Sequence, residues 1–231
     1  MKLTLIGDTD NPLAEVELRR GETIKIERGS MVYMQDVEIE GKTNSGSKGL
    51  GGFLKAAAKS VVSGESMFIT YVHGTGDHGR IGIAPSVTGV IRKLEVGTRQ
   101  YRLNTGAFLA CDDTVTYNMV SQSAGKALFG GTGGFFIMET AGTGDLVVNA
   151  FADMIELQVT EDKPLVIDNS HVVAWDASLD YNIRVASGIF GFTSGEGLVN
   201  EFHGYGKVLI QTRNASSFAG VLAPYLPSSN S

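Results

Sequence analysis

A Gly-x-Gly pair set inside alternating apolar residues occurs three times in this chain. The segments are residues 66–84, 134–150 and 197–212, and the pairs are Gly74/Gly76, Gly142/Gly144 and Gly204/Gly206. Alternation with a period of two is the pattern of a half-buried strand. A glycine in the middle of such a run marks a bulge, a bend or a close backbone approach. Each segment therefore reads as a bent pair of strands.

A second segment recurs upstream of each, at 21–40, 97–119 and 162–183. Aligned without gaps, Arg28, Thr105 and Asn169 coincide, as do Gly29, Gly106 and Ser170, and then Met34, Cys111 and Trp175. Each copy has a strand, a short polar turn and a second strand, which is hairpin and meander patterning. Between the two elements lies a short glycine-flanked link, at 49–66, 123–134 and 187–197, with helical spacing in the first. The expectation is an all-β protein of three pseudo-repeats with a few short helices. The limits are 1–84, 85–160 and 161–220, in one compact domain spanning 1–231, followed by a Pro- and Ser-containing tail at 221–231. Alternation should bury one residue in two, and the position shared by Met34, Cys111 and Trp175 should face the core.

The block at 194–213, SGEGLVNEFHGYGKVLIQTR, resembles the signature end of the altered-inheritance-of-mitochondria family of uncharacterised proteins. The blocks at 63–85 and 168–183 resemble its first and middle parts, so the likeness runs over nearly the whole chain. It implies a TRAP-like fold, a double-stranded β-helix or sandwich-like all-β architecture with threefold internal repetition. The family's name and fold label carry no biochemical activity to this chain. Glu196 sits in an intact Gly-Glu-Gly, whereas Ser66 and Thr132 break the pattern in the other two copies.

The chemistry-bearing residues form no recurring set. His73, Asp77 and His78 lie close together in HGTGDH, and His203 corresponds to His73, but the middle copy has Ala141 there. A metal centre needs three or four convergent ligands. Cys111, the sole cysteine, is followed by Asp112 and Asp113, whose charges would raise its pKa rather than activate it. His171 falls at a position held by Ser30 and Ala107 in the other copies. Gly74 to Gly79 matches a dinucleotide fingerprint in spacing, but a strand pattern follows where a helix is required. Neither Gly125-Lys126 nor Gly206-Lys207 continues into Ser or Thr, as a phosphate loop demands. No catalytic, metal or cofactor-binding residue is assigned, and the specific binding residues are left open.

Function is therefore expected to be non-enzymatic: binding, scaffolding or assembly. The alternative is a small-molecule or metal-dependent enzyme in a cupin-like barrel mouth near His73, Asp77 and His78. A third reading is RNA-binding regulation, drawn from the fold label. A net charge of -6 weighs against nucleic acid. The clusters Arg19, Arg20, Lys25, Arg28 and Arg92, Lys93, Arg99, Arg102 read as solvated strand faces. Residues 50–62 could touch a membrane surface through Phe53 and Leu54, although covering the sheet core is the simpler role. The chain carries neither a signal peptide nor an apolar span, and a lone cysteine suits a reducing compartment, so a cytoplasmic location is expected. The strand edges of a three-unit assembly need cover, from a homo-oligomer or a protein partner.

Overall fold

A computed structural model describes residues 1–7, 10–43, 68–121, 136–186 and 198–226. The chain is an all-β protein with one short α-helix among those residues. After β1 (Lys2–Ile6), six strands follow: β2 (Leu13–Leu18), β3 (Thr23–Glu27), β4 (Met31–Gln35), β5 (Val37–Thr43), β6 (Phe68–Gly74) and β7 (Gly79–Ile83). Six more are β8 (Ile91–Val96), β9 (Tyr101–Asn104), β10 (Phe108–Asp112), β11 (Val115–Ser121), β12 (Phe136–Gly142) and β13 (Gly144–Asn149). The last six are β14 (Met154–Val159), β15 (Leu165–Asp168), β16 (Val172–Asp176), β17 (Asp180–Val185), β18 (Leu198–His203) and β19 (Gly206–Gln211). Helix α1 (Ala215–Leu222) follows the last strand and is capped by Asn214, whose side chain accepts from the Ser217 amide at 2.8 Å. The glycine-flanked links and the candidate helix at 50–62 lie outside the described residues.

One pairing scheme occurs three times. The triplets β2-β7-β4, β8-β13-β10 and β14-β19-β16 share it, and so do β5-β6-β3, β11-β12-β9 and β17-β18-β15. Every one of these ladders is antiparallel, and in β4, β10 and β16 the register shifts at the same place, just after Met31, Phe108 and Val172. A bulge in one position bends the three strands alike. The triplets are then joined across sets. β3 pairs with β10, and β9 pairs with β16, so two six-stranded sheets span adjacent sets.

The polar turns and the Gly-x-Gly segments are not hairpins. β3 pairs with β6 and β10, whereas β4 pairs with β7, and β6 and β7 lie in different sheets. Both features are corners at which the chain leaves one sheet for another, and strand alternation alone does not distinguish a corner from a hairpin. The corners need glycine. A Cβ on Gly142, whose φ is +86°, would run into the Thr114 carbonyl oxygen. Gly79 starts β7 as Gly144 and Gly206 start β13 and β19, so Gly79 rather than Gly76 is their structural counterpart. A Cβ there would stand 2.6 Å from the Asp36 carbonyl oxygen.

The core forms three clusters. Ile24, Ile26, Ile81 and Ile83 anchor the first, Leu103, Phe108, Cys111 and Leu146 the second, and Trp175, Leu179, Phe202 and Val208 the third. Trp175 meets Tyr181 and Phe202 edge-on, with ring centroids 5.1 and 5.6 Å apart. Burial is not uniformly one in two. All five residues of β16 are buried, because neighbours flank it on both sides.

Candidate functional site

Trp175 and Cys111 are each 1% exposed, but Met34, at the same place in the pairing scheme, is 49% exposed. The expectation that Met34 faces the core is thus corrected. The reason lies in the neighbours. β10 and β16 are each covered by a strand from the preceding set, β3 and β9, while β4 is the terminal strand of its sheet. Val32 (56%) and Met31 are exposed on the same strand, where Leu109, Val173, Phe108 and Val172 are buried. A medium-sized apolar side chain left in water forgoes about 1.5–3 kcal/mol of burial. Tyr33 lies across Gly82, and its hydroxyl donates to the Glu15 carboxylate.

The opposite open edge is β15. In the first two sets the strand corresponding to it carries Lys25 and Arg102, and here the position is Val166, half exposed at 46%. Lys25 is buried, contrary to the expectation of a solvated strand face. Its ammonium donates to the carbonyls of Asp113 and Val115 at 2.7 and 2.9 Å and lies 3.4 Å from the Asp113 carboxylate. Arg102 donates to the Leu179 carbonyl at 3.1 Å and pairs with Glu139 at 2.7 Å. Both cations bridge one set to the next. The rest of the second basic cluster is also engaged internally: Lys93 with Asp145 at 3.0 Å, Arg92 with the Met154 carbonyl at 3.1 Å, and Arg99 with Asp176 at 3.4 Å.

The histidines do not converge. His73 Nδ1 is 2.9 Å from the Thr23 hydroxyl and Nε2 is 3.5 Å from Glu40, whereas Asp77 and His78 are exposed in the turn beyond. His203 lies 3.2 Å from Glu201. His171 contacts the Gln211 carbonyl at 2.7 Å and Asn214 at 3.0 Å, which ties α1 to the sheet. Among the described residues no three His, Cys, Asp or Glu side chains gather as metal ligands. The Cys111 thiol is pushed up to about 12, chiefly by burial, with the neighbouring carboxylates adding a smaller push against the opposing pull of Lys25. At the junction of the second and third sets, Arg99, Gln100, Gln158, Asp176, Tyr205 and Lys207 line an open cavity of about 600 Å³. Asp176 is held there by the Lys207 amide at 2.9 Å.

The uncovered edge had no motif to betray it. The signals that could have found it are the uncharged run Met31–Gln35 and the replacement of two cations by Val166 in the aligned copies.

The architecture defines a class: an all-β protein whose chain turns repeatedly between antiparallel sheets at glycine corners. Within it the family model described as mitochondrial biogenesis AIM24 matches residues 3–213, and the chain belongs to that family. An uncharacterized protein of Streptococcus pyogenes serotype M6 is 44% identical over 232 residues, covering 100% of this chain and 93% of the relative. A crystal structure of a Streptococcus pyogenes protein has the same fold, with a TM-score of 0.82 and 40% identity, covering 97% of this chain and 99% of that one. No helix among the described residues is long and apolar enough to cross a membrane.

Proposed function

We propose that this chain is a non-enzymatic scaffold that works through protein contacts at the uncovered edges of its sheets. The observation that carries this reading is β4, an uncharged terminal strand on which Met31, Val32 and Met34 are exposed. Natural edge strands are blunted by lysine, proline or cover; β4 has neither lysine nor proline, and no strand among the described residues covers it. The recurring pairing scheme supports three related units in one domain, with each unit offering the next a strand to pair with. The dispersed histidines and the unactivated Cys111 favour binding over catalysis. The reading places the protein in the cytoplasm, where a lone buried cysteine needs no disulfide partner.

The test is a photo-crosslinking amino acid placed at Val32 in the chain expressed in its own host. Protein adducts are expected there and not from the same probe at exposed, polar Glu38. Their absence at Val32 would overturn the reading. The cavity beside Asp176 favours a second reading, a small-molecule binding protein. In that case a ligand would co-purify, detectable by native mass spectrometry and lost on Asp176→Asn.

A further inference from the structure

We infer that β4 of one chain pairs antiparallel with β15 of a second copy, so that the chains join head to tail. This rests on the scaffold reading and names the partner as another copy of this protein. The two junctions inside the chain supply the pattern. In the first, Ile26, Lys25 and Ile24 of β3 stand opposite Ala110, Cys111 and Asp112 of β10. In the second, Leu103, Arg102 and Tyr101 of β9 stand opposite Ala174, Trp175 and Asp176 of β16. The two registers are the same. β15 is the third strand of the first kind and β4 the third of the second kind, and each ends its sheet with no second neighbour among the described residues.

The register of the missing junction follows. Lys25, Arg102 and Val166 each stand opposite a residue three places before the first corner glycine: Tyr71, Glu139 and Glu201. Met34, Cys111 and Trp175 each stand opposite the third residue of the next strand: Ile81, Leu146 and Val208. Transferring the pattern sets Val166 opposite Met34, Ile167 opposite Tyr33 and Leu165 opposite Gln35. Val166 and Met34 are the members of their two series that are apolar and about half exposed. They would face each other across the junction.

The chemistry at this position differs from the inner junctions in a useful way. Lys25 and Arg102 tie neighbouring sets permanently through buried or half-buried charge. Between separate chains, burying a cation costs desolvation that association must recover. Val166 against Met34 costs no such penalty and gains apolar burial. Of the other terminal strands of these triplets, β5, β8, β14 and β17 carry charge, with Arg92, Lys93 and Glu95 on β8 and Glu156 on β14, while β11 carries none but lacks the register match to β4. β4 has none, and β15 has only Asp168 at its end. The two contacting surfaces are different, so the contact is heterologous and builds a ring or a filament rather than a symmetric pair.

Light scattering on a sizing column tests this directly. The wild-type chain is expected at a mass that is a multiple of 24.5 kDa and greater than one chain. A discrete species marks a ring and a distribution of lengths a filament; both bear out the junction. Met34→Glu and Val166→Glu, each at an exposed site, should keep the circular dichroism spectrum and fall to a single chain. Mixed at high concentration, the two variants retain one intact edge each and should give a dimer of one chain of each. A monomeric wild type overturns the inference, and adducts at Val32 would then still uphold the scaffold reading through a different partner. Assembly that survives Val166→Glu but not Met34→Glu also overturns it, since β4 would be pairing with something other than β15.

Discussion

The Lys25 ammonium on β3 donates to the Val115 carbonyl on β11 at 2.9 Å and so fastens the first strand set to the second. The same ammonium holds the Asp113 carbonyl at 2.7 Å, and the side chain is almost wholly buried. Lys25→Met keeps the apolar stem and leaves those carbonyls without their charged donor. The expected loss is about 1–3 kcal/mol of stability, the range for stranding a buried hydrogen-bonding group. Urea unfolding measures it, and an unchanged midpoint would refute the role.

Glu27, at the end of β3, gives the protein a pH dependence. Burial pushes its carboxyl up to about 7 from an ordinary 4.5. The folded state therefore binds a proton that the unfolded state has lost, and stability falls as pH rises from about 4.5 to about 7. Allowing for partial solvent screening, the loss is about 1–2 kcal/mol. Glu27→Gln should remove this slope. Unfolding midpoints at pH 5 and pH 7.5, compared between wild type and variant, report it.

Cys111 should be inert in the native protein. Only the thiolate attacks an aromatic disulfide, and a thiol at about 12 is almost all protonated at pH 8. Burial closes the approach as well. Labelling with a chromogenic disulfide is expected to proceed at least 100-fold more slowly in buffer than in guanidinium. Equal rates would mean that the thiol is reachable in the folded state.

Asn200 is fully buried on β18, and neither its amide nitrogen nor its amide oxygen has a hydrogen-bond partner among the described residues. It stands opposite Ile167 on one side and Ile183 on the other. Its counterpart opposite Leu103 is Met138, an apolar residue. Asn200→Leu should raise stability by about 1–3 kcal/mol, since the cost of an unsatisfied buried amide disappears. A lower thermal midpoint in the variant would show that the amide is needed.

The strand content was legible in the residue pattern, and so were two of the three glycine bends. Alternation around Gly142/Gly144 and Gly204/Gly206 matches β12–β13 and β18–β19. The alignment of Met34, Cys111 and Trp175 agrees with their places in the ladders. The partners of those strands were not legible. Hairpin and corner look alike in a period-two sequence, and Gly79 took the place that spacing had given to Gly76, because three residues more fit into the first corner than into the others.

Local sequence therefore determined which segments extend and where the chain must bend, through side-chain alternation and glycine's tolerance of positive φ and close backbone approach. Burial was decided only in three dimensions. Met34 and Trp175 sit in equivalent strands, yet one is half in solvent and the other sealed, because β9 covers β16 and no strand among the described residues covers β4. How many neighbours a strand has depends on residues far along the chain, and at β4 it extends to a second molecule under the head-to-tail pairing proposed above.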